Sequence, residues 1–554
     1  MSSLPFRTPR LQVANDEYDA VREGRVRIRI GAGVFLLALG VACLRLGEVA
    51  LLTPDASAMI VPDALDSSRA DITDRHGEVL ATTLTTYSLY AEPGRVWDAA
   101  ETADALLSVR PGLDRKALIA DLSSDRAFAW IERGLSPRER QAVFELGQPG
   151  LGFRTEPKRA YPKGRLAAHV LGFTDVDMVG VAGAERAFED DISAANAPAV
   201  AMSLDMRVQH ALTEELAAGL ARFEAESIAG VVMEVTTGEV VAMASLPDFD
   251  PNHPGAVPPQ ARYNHAAMST YELGSVFKPL TLALALQTRT STATELFPVQ
   301  DRLVVNRKSI RDDHPSRVPL AMPDILAESS NRGTGLMALR AGADAQRAML
   351  DALGLFDRVP WELAESAAPQ VQTRWPDITT VTVGYGHGIS VTPLALTAAV
   401  GALFNNGVYV EPTVLKRSAA NPMRTRRVFN ADVAAQTLDM MRYVVTDGTG
   451  RNADVAGYGV MGKTGTADKP ANGGYDEQRL VTSFIAGFPY EAPRYALLVT
   501  FDEPKAIEGT HGYATAGWNA APTAGRVISR IAPLLGVEKR AEADTMSPYV
   551  KVER

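Results

Sequence analysis

The chain has 554 residues, which is too long for one compact domain and suggests about two to four folded units. Hydrophobic residues make up 46% and charged residues 22%, values that exclude a disordered chain or one with many membrane spans. The formal net charge of -10 offers no broad basic surface, so nucleic acid is not expected as a partner. Cys43 is the single cysteine, which excludes an intrachain disulfide and a zinc site built from thiolates.

An apolar segment near the N-terminus predicts one membrane-spanning helix over residues 30–52. The run Ile30–Leu44 carries no charge. Extended to Leu52 it has about 23 residues, and at about 1.5 Å per residue a helix of this length crosses a hydrocarbon core of about 30 Å. Arginines at positions 22, 25, 27 and 29 directly precede the run. The positive-inside rule therefore predicts a cytoplasmic tail over residues 1–29, with the rest of the chain outside the cytoplasm.

Three other interpretations of this segment stay open. A cleaved signal peptide ending at Ala58 would be unusually long. A lipoprotein signal at Cys43 would have Gly40 where a leucine-like residue is usual, and a buried core helix is hard to reconcile with the preceding arginines. The uncleaved anchor fits both hydropathy and flanking charge, and it predicts a single-pass membrane protein whose larger part lies outside the cytoplasm.

Beyond the anchor, composition divides the chain into two predicted parts and a tail. The small-residue stretch 193–198 indicates a join. A first module is predicted over residues 53–222, an α+β domain over residues 223–538 and a poorly patterned tail over residues 539–554. Near the join, the patterns predict a strand at 200–204, a helix at 208–226 and a hairpin of strands 229–235 and 240–244.

Ser275 and Lys278 in the α+β domain form the first motif that indicates chemistry. They stand three residues apart, so on a helix they share one face. A hydroxyl becomes a nucleophile when a base takes its proton, and a lysine in a partly desolvated cleft near other cations can be that base. Gly274 suits a tight entry into a helix N-terminus, whose amides would favour a developing oxyanion. Alone, this pattern is common on surface helices.

Two further motifs follow in the order that a serine acyltransferase would need. Ser329-Ser330-Asn331 places a hydroxyl and an amide in one short turn, where they can relay a proton and hold a peptide. In Lys463-Thr464-Gly465-Thr466, a lysine and two hydroxyls can bind a carboxylate. On an edge strand, this backbone could also pair with an extended peptide. Each motif is weak alone, but the three together indicate one catalytic site.

An NTPase is the competing hypothesis for the third motif, because residues 457–464 satisfy the phosphate-loop pattern letter for letter. A phosphate loop needs a helix directly after its lysine and threonine. Here Gly465 follows at once, and residues 468–474 include Pro470, Gly473 and Gly474, which cannot make that helix. The context therefore favours a strand at this place.

Other candidate residues carry weaker signals. The eight histidines show no HExxH pattern, and Ser275 lacks the G-x-S-x-G setting of a hydrolase elbow. His387 lies between two glycines and could line a cleft, although loop histidines usually have no chemical role. Asp502 and Glu503 end a predicted strand over residues 495–501 and are most simply solvated or salt-bridged.

With these motifs the chain resembles the class B penicillin-binding proteins, the monofunctional D,D-transpeptidases that cross-link peptidoglycan. The similarity runs from about Arg22 to Val537 and includes the stretches 69–77, 238–243 and 447–450. Residues 161–177 look most like the division-specific, FtsI-type branch, and the elongation-specific branch stays an alternative. The resemblance implies a single transmembrane helix, an elongated pedestal and a penicillin-binding domain with the serine β-lactamase-like fold.

The resemblance also implies roles for the motif residues. Ser275 would attack the D-Ala-D-Ala carbonyl of a stem pentapeptide to form an acyl-enzyme, with Lys278 as general base. Ser329 and Asn331 would shuttle a proton and orient the donor peptide. An amine from a neighbouring stem peptide would then take the acyl group, and water in its place would give a D,D-carboxypeptidase side activity. β-Lactams, which mimic the D-Ala-D-Ala terminus, would acylate the same serine.

The lysine motif would hold the substrate carboxylate in this interpretation. Lys463 would also be catalytic, and the substrate-binding residues would be Thr464, Gly465 and Thr466. The backbone amides of Ser275 and Thr466 would form the oxyanion hole. No metal or cofactor is implied. The expected partners are a SEDS-type glycosyltransferase and other membrane proteins of the divisome.

Two departures and two rivals accompany the resemblance. Leu273 stands where the family usually has proline, and Ala395 where glutamine is common; neither position supplies the chemistry. A serine β-lactamase would share the three motifs but would need neither the anchor nor the non-catalytic module. A division scaffold with a silent site is the other rival, against which the intact motifs argue.

Overall fold

The structure, a computed structural model, describes residues 29–30, 32–41, 69–471, 474–541 and 546–549. The chain forms two compact units, Met1–Asp66 and Ser67–Arg554. In the first unit, residues 29–30 and 32–41 are helical. Among the described residues, no helix combines the length and the apolar character that crossing a membrane requires. Residue 31 and residues 42–52 of the predicted span lie outside the described residues.

The second unit begins with a mixed module, residues 69–204, which we call the pedestal. Its strands are β1 Ile72–Thr73, β2 Val79–Ala91, β3 Ala129–Leu135, β4 Leu151–Ala160 and β5 Val200–Ala201. Its helices are α1 Ala99–Val109, α2 Arg115–Leu122, α3 Pro137–Phe144, α4 Ala168–Leu171, α5 Gly183–Ala187 and α6 Glu189–Ser193, with a 3-10 helix at Pro93–Arg95. The predicted strand over residues 200–204 is thus shorter than expected. β5 pairs with the two-residue strand β1, and Met202 adds an isolated bridge to Leu415.

The long strand β2 organises the pedestal sheet. It pairs antiparallel with β3 on one side, with β4 on the other and with β1 near its start. The helices α1, α2 and α3 pack on this sheet through a small apolar core that includes Leu89, Leu106, Leu118, Leu122 and Val143. Asp98 and Asp114 accept hydrogen bonds from the first-turn amides of α1 and α2, which explains where these helices begin.

A buried ion network holds the base of the pedestal together. The carboxylate of Glu185 accepts from Arg69 Nε at 2.6 Å and from Arg159 Nε at 2.7 Å, and all three side chains are buried. Glu189 adds a second carboxylate to Arg69. Because a buried charge is tolerated only when it is paired, this network fixes the start of the module, β4 and α5 against one another.

The rest of the second unit, residues 205–541, is the C-terminal domain. Its strands are β6 Ser227–Glu234, β7 Val240–Leu246, β8 Leu303–Val305, β9 Lys308–Ile310, β10 Gln370–Val371, β11 Ile389–Ser390, β12 Val408–Val410, β13 Thr425–Arg427, β14 Met461–Ala471, β15 Gly474–Phe488 and β16 Tyr495–Asp502. Its α-helices are α7 Met206–Phe223, α8 His265–Met268, α9 Lys278–Gln287, α10 Met322–Ala327, α11 Asn331–Ala341, α12 Ala343–Ala352, α13 Asp377–Gly384, α14 Pro393–Phe404, α15 Ala431–Thr446 and α16 Ala520–Leu534. Its 3-10 helices are Pro254–Ala256, Pro259–Arg262, Gly274–Phe277 and Arg451–Ala453.

A five-stranded antiparallel sheet in the order β14-β15-β16-β6-β7 is the centre of this domain. One face carries α7 and α16, which share a core with Leu212, Leu216, Val527 and Ile531. The other face carries α14, which is buried along its whole length. β6 and β7 are buried on both faces, which explains why their sequences are continuous apolar runs.

The predicted elements around the domain start are confirmed with small shifts. The helix expected over 208–226 spans Met206–Phe223, because Asp205 caps its first turn and Glu224 adopts a left-handed φ of 46° at its end. The predicted hairpin is β6–β7, and the predicted strand over 495–501 is β16.

Candidate active site

Ser275 lies at the entrance of a helix. It belongs to the 3-10 turn Gly274–Phe277, and α9 begins directly after this turn, at Lys278. Gly274 has a φ of +61°, a conformation that costs glycine little and other residues more. Its amide donates to the carbonyl of Gly386 at 3.1 Å, which holds the turn in place. The predicted tight entry at Gly274 is confirmed.

Lys278 is fully buried and directed at the second motif. Its Nζ donates to Ser329 Oγ at 3.0 Å and to the Ser329 carbonyl. Burial lowers the pKa of Lys278 to about 7, against the opposing influence of the carboxylates of Asp312 and Asp313. A lysine with such a pKa is partly neutral near pH 7, so it can accept a proton there.

Ser329 stands in the middle of the site because its backbone is left-handed, with a φ of 61°. The next residue, Ser330, caps α11 by accepting from the amide of Gly333 at 3.0 Å, and it also donates to Asp312 at 2.9 Å. Asn331 is the first residue of α11, and its Nδ2 donates to the carbonyl of Arg311 at 2.9 Å. The second motif therefore lies at the start of a helix. The hydroxyl of Ser329 faces two lysines, Lys278 and Lys463.

Lys463 is the second of these lysines. Its buried Nζ lies 3.0 Å from Ser329 Oγ and 2.9 Å from the carbonyl of Thr464. Burial, and after it the charge of Lys278, hold the pKa of Lys463 well below its usual range. One serine hydroxyl thus bridges two buried amines from different elements.

The third motif lies on the strand β14, at an edge of the central sheet. Thr464 Oγ1 is 2.8 Å from the hydroxyl of Thr449, and Thr466 Oγ1 accepts from the amide of Ala516 at 3.1 Å. Gly465 allows β14 to pass close to the nucleophile turn, because a Cβ there would lie 2.4 Å from the carbonyl of Leu273. The outer edge of β14 is available for pairing with an extended peptide.

This strand decides against the phosphate loop. Lys463 and Thr464 lie inside β14, which continues to Ala471. No helix begins directly after them, so the helix amides that bind phosphate in a phosphate loop are missing beside these two residues. The context that the NTPase hypothesis needs is therefore missing, as the residues after Gly465 predicted.

The structure brings most of the predicted residues together. Lys278, Ser329 and Lys463 share one hydrogen-bond network, and Ser275 lies one turn before Lys278. Asn331 is next to the network in sequence but bonds to Arg311. Sequence reasoning missed Asp312 and Asp313, whose charges act on Lys278. Two adjacent acids in a loop gave no signal that could have found them.

Asp502 and Glu503 are salt-bridged, which is one of the two simple interpretations of their sequence. Lys469 Nζ lies 2.8 Å from a carboxylate oxygen of each. With Glu226 these side chains form an acidic cluster that already contains its own ammonium group.

Family models match both folded parts of the chain. The model described as "Penicillin binding protein transpeptidase domain" matches residues 228–528, more than half of the chain. The model described as "Penicillin-binding Protein dimerisation domain" matches residues 64–198. A Caulobacter vibrioides protein named as a probable peptidoglycan D,D-transpeptidase FtsI is 39% identical over 536 residues, which cover 94% of this chain and 91% of that protein.

The chain belongs to the class B penicillin-binding proteins, in their FtsI-type branch. The FtsI protein of Escherichia coli K12 is 28% identical over 561 residues, 93% of each chain. The resemblance that the motifs predicted is thereby confirmed.

Solved structures show the same two-domain fold. The crystal structure of penicillin-binding protein 3 from Mycobacterium tuberculosis, complexed with aztreonam, has a TM-score of 0.68 and 23% identity, covering 86% of this chain and 98% of that chain. A peptidoglycan synthetase from Bifidobacterium adolescentis has a TM-score of 0.66 and 20% identity, covering 88% and 97%. The predicted architecture of a pedestal followed by a penicillin-binding domain is confirmed. The exact boundaries, 53–222 and 223–538, stay predictions, as do the individual roles of the site residues in this class B penicillin-binding protein.

Proposed function

We propose that this protein is a serine D,D-transpeptidase that cross-links peptidoglycan stem peptides at the division septum and is acylated by β-lactams. One observation carries the proposal. Ser329 Oγ lies 3.0 Å from both Lys278 Nζ and Lys463 Nζ, although these residues are 51 and 134 positions away in the chain. The hydrogen bonds from Lys278 and Lys463 to Ser329 thus form one proton path between the turn of Ser275 and the strand β14.

Acylation follows from this geometry. Lys278, partly neutral because of its burial, takes the proton of Ser275 as Oγ forms a bond to the penultimate D-alanine carbonyl carbon. The peptide C–N bond then breaks, and the proton passes through Ser329 and Lys463 to the amine of the departing D-alanine. The backbone amides of Ser275 and Thr466 stabilise the oxyanion in this scheme.

Substrate binding uses the edge of the sheet. An extended stem peptide pairs with β14, and its terminal carboxylate accepts hydrogen bonds from the hydroxyls of Thr464 and Thr466 beside Lys463. An amine from a second stem peptide attacks the ester, gives its surplus proton to the lysine network and returns Ser275 to its hydroxyl form.

Labelling with a fluorescent penicillin tests the proposal directly. We expect covalent label on the wild-type chain, no label on Ser275→Ala and normal label on Ser108→Ala, whose hydroxyl is exposed in the pedestal. Added ATP should change nothing. Absence of label on a folded wild-type chain would instead favour a silent division scaffold, and rapid loss of label would favour a β-lactamase.

The cellular placement is a second part of the proposal. We place the protein in the inner membrane with one span at residues 30–52, its N-terminus in the cytoplasm and its folded part in the periplasm. Hydropathy and the preceding arginines support this, as does the exposure of Phe35 and Leu37, at 68% and 72%. Reporter fusions after residues 28 and 60 test it, since only the second should report the periplasm.

Septal duty and partners complete the proposal. The FtsI-type relatives support a role in division, with a SEDS-type glycosyltransferase and other divisome proteins contacting the membrane helix and the pedestal. Depletion should then give filamentous cells, whereas round cells would assign the protein to elongation.

A further inference from the structure

A cavity of about 460 Å³ lies beside the site, at the end of β14 that follows Thr466. This volume is in the range of sites for small ligands. Its lining includes Tyr271, Glu272, Gln370, Asp468, Lys469 and Asp502. Lys469 forms salt bridges with Asp502, at 2.8 Å, and with Glu503, so these two carboxylates balance its charge. Glu272 and Asp468 therefore leave the cavity with an acidic wall.

Two buried polar atoms near this wall have no hydrogen-bond partner among the described residues. They are Oε2 of Glu272 and Nδ1 of His387. The other oxygen of Glu272 accepts from the amide of Gly388 at 2.9 Å, which places the carboxylate beside the histidine loop. In the neutral tautomer with its proton on Nε2, Nδ1 of His387 is an acceptor, as the carboxylate oxygen is. Buried polar groups are normally satisfied, so these two unpartnered atoms at one place then indicate a missing donor.

The charges around these atoms indicate that the donor is a cation. Burial lowers the pKa of His387, and Lys278 adds to this effect while Glu272 and Asp468 oppose it, so the imidazole is neutral at pH 7. Burial raises the pKa of Asp468, and the neighbouring acids Glu477, Asp313 and Asp476 add to it, while His387 opposes. A bound cation would relieve this repulsion and satisfy both acceptors.

The position matches the reaction as well as the charge. Glu272 precedes Ser275 by three residues, and Asp468 follows Thr466 by two strand residues, about 7 Å along β14. Side chains two apart in a strand share a face, so Asp468 is on the face of Thr464 and Thr466. The hydrogen bond from Gly274 to Gly386 holds the loop of His387 against the nucleophile turn.

We propose that Glu272, Asp468 and His387 form a binding site for a primary ammonium group of a peptidoglycan stem peptide. The proposal rests on the transpeptidase function proposed above. An ammonium has three N–H donors, which match two carboxylates and one neutral imidazole nitrogen. The ring of Tyr475, 5.9 Å from that of His387, adds a face on which a cation can lie. The group is either the amine of the acceptor, which binds as its ammonium and gives a proton to the lysine network before it attacks the ester, or the side-chain amine of a diamino residue in the donor.

Partitioning of one acyl-enzyme tests the site. The full-length protein is acylated with an N-acetyl-D-alanyl thioester donor, which has no free amine, and Nα-acetyl-L-lysine is then varied as the acceptor. The ratio of aminolysis to hydrolysis is measured for wild type, Glu272→Gln, Asp468→Asn and the exposed control Asp301→Asn, per active site titrated with fluorescent penicillin. A second arm compares an Nα-acetyl-lysyl-D-alanyl thioester donor, whose only free amine is Nε, with its Nα,Nε-diacetyl form.

If the site binds the acceptor, Glu272→Gln and Asp468→Asn should lower the partition ratio at low acceptor concentration by about tenfold, whereas Asp301→Asn should not. If it binds the donor, the same variants should lower kcat/KM only for the donor with a free amine. Unchanged values in both arms, on a wild type that forms and aminolyses its acyl-enzyme, would overturn the site alone. A wild type without an acyl-enzyme would overturn the transpeptidase, and the site with it.

Discussion

The pH dependence of acylation should report the protonation of Lys278. Its pKa is lowered by burial to about 7, while Asp312 and Asp313 hold it up. In the proposed mechanism the neutral amine is the base, so the rate should rise with pH. With a pKa of about 7, about one molecule in eleven has neutral Lys278 at pH 6 and about ten in eleven at pH 8, so acylation should be about tenfold faster at pH 8.

The variant Asp313→Asn should move this profile in a known direction. Asp313 is exposed, whereas Asp312 also holds Ser330 and the amide of Arg332, so Asp313 can be changed with less risk to the fold. Removing its negative charge disfavours the protonated lysine and lowers the pKa of Lys278. Solvent screening limits the shift to about half a unit, which makes acylation about two- to threefold faster at pH 6 and leaves it unchanged at pH 9.

The assay is the second-order rate constant of acylation by a fluorescent penicillin between pH 5.5 and 9. Asp301→Asn, an exposed aspartate that does not act on Lys278, is the matched control. Raising the salt concentration should reduce the effect of Asp313→Asn. A flat profile between pH 6 and pH 8, or a shift of the variant to higher pH, would refute Lys278 as the base.

Two other substitutions test the packing of the site and of the pedestal. Gly465→Ala places a Cβ 2.4 Å from the backbone of Leu273, so penicillin acylation should fall by about a hundredfold, whereas Gly474→Ala, which meets open space, should acylate normally. Arg69→Met leaves a buried glutamate short of one partner and should lower the free energy of unfolding by about 3–5 kcal/mol in urea titrations followed by tryptophan fluorescence. Arg115→Met breaks an exposed, solvent-screened pair and should leave the urea transition close to that of the wild type, so equal losses in the two arginine variants would contradict the role of burial.

Local patterns were sufficient for several elements of the C-terminal domain. The three- and four-residue spacing of apolar side chains predicted α7, and the continuous apolar runs predicted β6, β7 and β16. The glycines and proline after Lys463 predicted that no helix follows it, and β14 is there. These features depend on residues that are near one another in the chain, which is why sequence alone could predict them.

Non-local contacts could not be predicted in this way. Glu185 pairs with Arg69, 116 residues away, and the sequence pattern around either residue does not predict this pairing. The acids that act on Lys278 come from the loop after β9, and the turn of Ser329 depends on a left-handed φ that serine rarely adopts. Glu272 and His387 meet where the amide of Gly388 donates to the Glu272 carboxylate and the amide of Gly274 donates to the carbonyl of Gly386. Such pairs follow from the tertiary fold, so residue patterns along the chain leave them open.

The two buried lysines explain how one site can act first as a base and then as an acid. Burial lowers the pKa of both Lys278 and Lys463, and the charge of Lys278 lowers the pKa of Lys463 further. Protonating both amines at once is therefore costly, so the two amines favour sharing a proton. Because Ser329 Oγ lies 3.0 Å from each amine, that proton can move between them without reaching water. A site with one mobile proton can take the proton of Ser275 on one side and supply a proton to the leaving amine on the other.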